Sequence, residues 1–285
     1  MKYMETNQLI TFFNYIMNFH PKKKQIYDGI GKEYNFTRTA DPRILTMILK
    51  LLSCGKHSII ADIGAGTGNY SFQLAKRGYI VHALEPSELM HHQKKEHPNL
   101  KWLYGLAESI PLKTNSAHGI ISTLAIHHFN SVELAFKEMY RILKMKGRLV
   151  IFTADPAKVQ KDSWLKEYFY PLFIQSRKHY PNTKLVLKLL ERKFKTTVQV
   201  TPFLLPDNLK DGFFYSAWKY PEKYLDRGFR RGISVFAKSS QKTVSPLLKQ
   251  LAADLKCGVW DQKYAHVRNL GQYDGGYMFI SVKKT

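Results

Sequence analysis

The chain of 285 residues is poor in cysteine, poor in acid and without any long apolar run. Its two cysteines, Cys54 and Cys257, lie far apart. They make neither a disulfide framework nor a zinc-finger spacing, so both read as structural thiols of a reducing, cytoplasmic compartment, and no metal site is expected. No stretch approaches the roughly 18 apolar residues of a membrane span. The apolar run Leu9–Phe19 lacks the basic leader and small-residue cleavage site of a secretory signal. Leu9, Phe12, Phe13, Ile16 and Phe19 instead share one helical face, which predicts an amphipathic helix ended before Pro21. Internal repeats and low-complexity tracts are missing too, and 44% hydrophobic with 13% aromatic residues excludes a disordered chain.

The shortage of acid leaves 44 Lys and Arg against 22 Asp and Glu, a net charge of +22. Such a field attracts nucleic acid, anionic membranes or acidic ligands. A lysine-rich solvated surface gives the same count with no partner at all.

What is present is an alternation of strand and helix from Ser58 onward. SIIADI, YIVHALE, LKWLYGLA, HGIISTLAI and GRLVIFTA read as five strands, with helices between them. Asp41-Pro42, Ser87 and Ser131 stand where helices start. This pattern predicts a parallel α/β sheet with right-handed crossovers. After Asp155 the texture changes. Residues 158–195 are helical in pattern, basic and aromatic; Thr196–Leu205 reads as a sixth strand; and GYMFISVKK closes the chain as a last one.

Between the first strand and its helix stands ADIGAGTGNY. Glycine lets a loop turn sharply and lets a ligand touch backbone. Gly64, Gly66 and Gly68 alternate, whereas dinucleotide dehydrogenases place the third glycine or alanine one position later, where this chain has Asn69. The spacing leans away from a pyrophosphate. Glu85 ends the second strand, where a carboxylate can accept both hydroxyls of a ribose. Taken singly, Asp62 reads equally as a loop cap, Glu85 as a helix-cap acid and Glu108 as a solvated loop residue. Together they mark the C-terminal edge of the strands, where open α/β sheets bind ligands.

ADIGAGTG, ALEPS, GLAESIPL, LAIHHF and RILKMKGRLVI, in this order, resemble the class I S-adenosylmethionine-dependent methyltransferases, in particular the group that includes the ubiquinone/menaquinone-type enzymes (methyltransferase domain 11-like). KMKG departs from the Lys-Pro-Gly-Gly common there. The resemblance covers roughly residues 40–155. It implies a Rossmann-like, seven-stranded, mostly parallel sheet with helices on both faces and an antiparallel last strand. It also implies S-adenosylmethionine as cofactor, with S-adenosylhomocysteine as product. Gly64, Gly66 and Gly68 would wrap its methionine part, Asp62 would hold that loop or the ammonium group, and Glu85, followed by Pro86, would bind the ribose. Ala107 and Glu108 would face the adenine and Leu124 the sulfonium. Tyr34 and Arg38 resemble an N-terminal lid, with Arg38 placed to pair with the cofactor carboxylate.

The resulting organisation is a lid at 1–40, a cofactor-binding core at 41–155, a basic aromatic cap segment at 156–195, a core strand at 196–206, a helical cap insertion at 207–270 and a final core strand at 271–285. The expected activity is methyl transfer to a small-molecule acceptor under the cap. Acceptors on nucleic acid, motivated by the charge, or on a lipid or quinone at a membrane surface, motivated by Leu9–Phe19 and the lysines after it, are the alternatives. His127, after the fourth strand, is the candidate base, with His128 beside it. Phe213, Phe214, Tyr215, Trp218 and Tyr220 could line the acceptor cavity, and Arg230–Ser234 could meet an acidic acceptor group. The acceptor atom and the oligomeric state are not legible.

Overall fold

Asp41 opens the first described helix. Its carboxylate accepts the Arg43 N–H at 2.9 Å, and Pro42 supplies a helical φ with no N–H to satisfy. The computed structural model describes residues 38–159 and 163–285. Tyr34, the helix expected at Leu9–Phe19 and nearly all of the expected lid lie outside them.

Chain order gives α1 (Pro42–Leu52), β1 (Ile59–Ile63), α2 (Asn69–Ala75), β2 (Ile80–Glu85), α3 (Glu88–His92), β3 (Leu100–Tyr104), β4 (Ala117–Thr123), α4 (Val132–Ile142) and β5 (Leu143–Ala154). Then come α5 (Trp164–Tyr168), α6 (Tyr170–Arg177), α7 (Thr183–Phe194), β6 (Gln199–Pro202), β7 (Leu205–Pro206), α8 (Arg227–Arg231), α9 (Ser234–Lys238), α10 (Gln241–Lys256), α11 (Val259–Arg268), β8 (Gln272–Tyr273) and β9 (Tyr277–Lys283). Seven strands form one sheet in the order β3-β2-β1-β4-β5-β9-β6. β1 to β5 pair in parallel, and β9 runs antiparallel between β5 and β6. The sheet is the Rossmann-like one that the resemblance implied. No helix among the described residues is long and apolar enough to cross a membrane.

Alternation along the strands divides the core. In β5, Val150 and Phe152 point to one face, and Leu149 and Ile151 to the other. The first face is covered by α1 and α2 and runs without a break into the aromatic cap, through Trp164, Trp218, Tyr224 and Trp260. The indole N–H of Trp164 donates to the Trp218 carbonyl at 2.7 Å inside this cap. The second face is covered by α4 and α7.

That placement of α7 differs from the sequence expectation, which put all of 156–195 in the cap. Val186, Leu189, Leu190 and Phe194 form one apolar stripe that packs with Phe136, Met139 and Ile142 under the sheet. β5 and β6 run the same way, so the chain between them must cross over, and α7 is that crossover. Its lysines are the outer face of a core helix. The sixth strand is also shorter than expected. It stops at Pro202 on the sheet's edge, where a residue without an N–H is tolerated.

Within KMKG the backbone kinks at Lys146, with φ of 67°, and β5 shifts register against β4. A Cβ on Gly147 would meet the carbonyl oxygens of His118 and Lys144 at 2.8 Å. Glycine is required at this bend, which takes the structural role of the family's turn.

Candidate active site

Every parallel strand from β1 to β4 delivers a loop to the same edge of the sheet. After β1 the chain passes through Gly64, Gly66 and Gly68, at φ of 77°, 60° and 78°. These left-handed conformations favour glycine. The three differ in what surrounds them. A Cβ at Gly64 would stand 2.5 Å from the Ala125 methyl, and one at Gly68 would stand 2.6 Å from the Trp102 ring. Beside a Cβ at Gly66 no described residue other than its chain neighbours would come within 4 Å. The loop is thus wedged at both ends and bare in the middle.

Glu85 holds the bare middle from behind. One carboxylate oxygen accepts the Gly66 N–H at 2.8 Å, and the other accepts the Ser87 N–H at 3.1 Å across Pro86. Burial raises its carboxyl above the ordinary range, against those two backbone hydrogen bonds. Below it, Asp62 is 2% exposed. One of its oxygens accepts the Ser71 hydroxyl at 2.6 Å, and the other is buried with no partner among the described residues. Burial pushes the Asp62 carboxyl up to about 7; the Ser71 hydrogen bond opposes this and the nearby Glu85 charge adds to it. Two buried acids, one with an oxygen unpartnered among the described residues, suit a ligand that brings positive charge and N–H donors.

Beyond β2, His91 donates to the Glu85 carbonyl at 2.8 Å and packs edge-on against Trp102. A shallow cleft of about 480 Å³, lined by Glu88, His91, His92, Lys94 and Tyr104, opens there. After β3, Ala107 is buried. Glu108 accepts the Ser131 N–H at 2.9 Å and so helps to start α4.

After β4 the character reverses. Leu124 takes a left-handed φ of 52° and ties back to the Phe152 carbonyl at 2.8 Å. A β-carbon in that region stores strain, which recurs at functional sites. One 3-10 turn, Ile126–His128, then presents both histidines. The His127 ring lies 4.4 Å from the Tyr180 ring and nearly parallel to it, and 3.9 Å from His128. Its Nδ1 is buried with no partner among the described residues. Burial, then the charges of Lys238, His179 and Arg38, pushes the His127 imidazole down to about 3; His128 falls well below its ordinary value for the same reasons and by proximity to His127. Both are neutral at neutral pH.

Arg38 joins the cap to this edge. Its guanidinium meets Asp211 at 2.5 Å, and its carbonyl accepts the Asn69 amide at 3.0 Å. Asp211 also accepts the Tyr70 hydroxyl at 3.1 Å. One residue earlier, the Lys210 N–H reaches Asp41 at 3.0 Å, and Arg43 reaches Asn208 at 2.6 Å. Residues 208–211 are therefore fastened to the start of α1 and α2.

The structure brings Arg38, Asp62, Gly64, Gly66, Gly68, Glu85, Pro86, Ala107, Glu108, Leu124 and His127 to one edge. Arg230, read as a candidate for acidic groups, donates instead to the Tyr224 carbonyl at 2.6 Å within the cap. Phe213, Tyr215 and Trp218 pack in the cap core, with Phe214 against it. Sequence reasoning missed Trp102, Tyr180, Asp211 and Lys238. Nothing local marks them, because each acts on residues far away along the chain. Among the described residues, no group of three or more His, Cys, Asp or Glu is placed to hold a metal.

Residues 61–151 match the family Methyltransf_11, described as a methyltransferase domain. A solved structure from Anabaena variabilis, named "Putative methyltransferase from antibiotic biosynthesis pathway", is 42% identical. It superposes with a TM-score of 0.83, covering 86% of this chain and 98% of that one. The biotin biosynthesis bifunctional protein BioHC of Cellvibrio japonicus is 36% identical over 99 residues, 34% of this chain and 20% of that protein. The ubiquinone/menaquinone biosynthesis C-methyltransferase UbiE of Rubrivivax gelatinosus is 30% identical over 122 residues, 42% of this chain and 45% of its own length. The likeness to these two curated relatives thus spans less than half of each.

Proposed function

This chain belongs to the class I S-adenosylmethionine-dependent methyltransferases, and from that premise we propose that it transfers the methyl group of S-adenosylmethionine to a small-molecule acceptor. The observation that carries the reading is the buried oxygen of Asp62, unpartnered among the described residues, beside a loop whose middle glycine, Gly66, those residues leave uncovered.

When bound, the cofactor supplies an already activated sulfonium methyl. The protein's part is alignment and exclusion of water. In this reading, Gly64, Gly66 and Gly68 offer backbone to the methionine part, and Asp62 gives its spare oxygen to the ammonium group. Glu85 receives the ribose hydroxyls on the lone pairs that Gly66 and Ser87 leave open. Pro86 sets the bend that lets Glu85 reach Ser87. Ala107 and Glu108 border the adenine, and Leu124 faces the sulfonium. Arg38, fastened to Asp211, keeps the cap closed over the β4 edge. His127, with Nδ1 open, is the proposed proton acceptor where the attacking atom carries a proton. Tyr34 lies outside the described residues. The acceptor's small size is supported by the cap, whose core is continuous with that of the sheet.

Calorimetry with S-adenosylhomocysteine tests the reading. The parent should bind saturably, and Glu85→Gln should bind at least about 10-fold more weakly, the usual effect of removing a charge-assisted hydrogen bond. A parent that gives no heat with this compound or with S-adenosylmethionine overturns it. Bulk tRNA and anionic liposomes at varied salt test the acceptor class. Tight, salt-sensitive binding to either would move the acceptor there.

A further inference from the structure

The two acids of the β1–β2 edge are not satisfied alike. Glu85 accepts the Gly66 N–H on one oxygen, at 2.8 Å, and the Ser87 N–H on the other, at 3.1 Å. Asp62 accepts only the Ser71 hydroxyl, at 2.6 Å, and its Oδ1 is buried with no partner among the described residues. β1 and β2 pair in parallel with Asp62 opposite Ala83, so Glu85, two residues on, stands on the same face of the sheet as Asp62. The two acids are 2% and 6% exposed. Towards Asp62, α2 offers the Ser71 hydroxyl, and β4 sets the apolar Ile121 in register beside it. Glu85 is the one charged side chain that bears on Asp62 among the described residues.

Two neighbouring carboxylates out of reach of water do not both ionise cheaply without a cation. Two backbone donors favour the anion at Glu85. Asp62, with a single hydroxyl donor and a bare oxygen, is the acid that keeps a proton, and burial accordingly raises its carboxyl to about 7 against the Ser71 hydrogen bond. An ammonium reverses that balance. It brings three N–H donors and a positive charge, which together satisfy Oδ1 and stabilise the carboxylate. We propose that this site takes up S-adenosylmethionine in exchange for a proton: the ligand's ammonium replaces the hydrogen on Asp62, and that hydrogen leaves to solvent. The exchange balances, with one cationic group entering, one proton leaving and Asp62 passing from acid to carboxylate. The proposal rests on the methyltransferase reading and adds to it a regulation of the same site by pH. Above about pH 7 Asp62 is already ionised and affinity is full; below it the proton must be expelled, and affinity falls about 10-fold per pH unit. Donor and product both carry the ammonium and respond alike. A nucleoside without it does not respond.

The test is calorimetry of the full chain with S-adenosylhomocysteine at about pH 6 and pH 8, each in two buffers of different ionisation enthalpy, so that the difference in heat counts the protons released. At the lower pH the parent should release about one proton per ligand and bind about 10-fold more weakly than at the higher. 5′-Methylthioadenosine keeps the adenosine and lacks the ammonium. It should release almost no proton and bind alike at both pH values. Asp62→Asn cannot ionise. It should bind S-adenosylhomocysteine more weakly than the parent at the higher pH, release no proton and stay within about twofold across the range. Three results overturn the proposal: no proton released by the parent at the lower pH, equal release with 5′-methylthioadenosine, or an Asp62→Asn variant that keeps the parent's pH slope. If Asp62→Asn binds too weakly to measure, the two ligands on the parent decide the matter by themselves. A parent that binds S-adenosylhomocysteine at neither pH instead removes the methyltransferase reading beneath the proposal.

Discussion

The two halves of the binding edge are built in opposite ways. The β1–β2 half is written in one short stretch, Asp62 to Ser87, and is acidic. Its glycines, acids and turn touch one another within that stretch. The β4 half, with two cations against one acid, is gathered from Arg38, His127, Tyr180, Asp211 and Lys238. A local motif needs only correct spacing. A dispersed one needs the whole cap to be folded before any of its residues meet.

If that contrast is right, the cap is no separate body. Trp164 is fully buried in a cluster that continues into the sheet through Phe152, Tyr277 and Phe279. Trp164→Ala should lower unfolding stability by about 3–5 kcal/mol, the range for a large buried aromatic. It should do so in a single urea transition seen equally by far-ultraviolet dichroism and tryptophan fluorescence. Two resolved transitions, with the sheet unaffected, would break the comparison by showing a cap that unfolds alone.

The same contrast explains what could be read from the sequence. The sheet, the glycine loop, Asp62, Glu85 and the caps at Asp41, Ser87 and Ser131 were legible, because each is a pattern within a few residues. Ser87 and Ser131 do accept from the N–H three residues on, at 3.4 and 3.3 Å. The place of α7 was not legible. Periodicity shows that Val186, Leu190 and Phe194 share a stripe, but not whether that stripe faces the sheet or the cap. Asp211 was invisible for a related reason. An acid in LPDNLKDGF reads as solvated until Arg38 and Tyr70 are folded against it. Glu108 was legible in position, at the end of β3, but not in its partner Ser131.

A second, smaller effect separates the halves by pH. Asp62 is raised from 3.8 to about 7, first by burial. Between those values the folded chain keeps a proton that the unfolded chain has lost. Its contribution to stability is full below 3.8 and is lost as pH rises through 7. His127 is lowered from 6.5 to about 3, again first by burial, and faces His128, Lys238, His179 and Arg38. In its window the unfolded chain takes a proton that the folded one refuses, so its contribution is full above 6.5 and is lost as pH falls through 3. From 3.8 to 6.5 the two slopes oppose each other. Asp62→Asn should therefore make stability rise more steeply with pH than in the parent, by at most about 1.4 kcal/mol per unit, and His127→Gln should shift the slope the other way. Urea unfolding at several pH values checks both. Parallel profiles for the parent and both variants would show that the two halves do not differ electrostatically.

The smallest expected effect falls at Glu108, between the halves. Its carboxylate accepts the Ser131 N–H, and Ser131 in turn accepts the Leu134 N–H to begin α4. Glu108→Gln keeps a carbonyl oxygen for Ser131, so unfolding stability should change by less than about 1 kcal/mol. The amide keeps an acceptor for an adenine amino group as well, so S-adenosylhomocysteine affinity should fall by less than about 5-fold. Glu108→Ala removes both and should cost roughly 1 kcal/mol in stability through the lost cap. If Glu108→Ala destabilises the fold by that amount but leaves S-adenosylhomocysteine affinity untouched, Glu108 belongs wholly to the helix start. The cofactor's acidic border would then end at Glu85, and the boundary between the two halves would move from β3 back to β2.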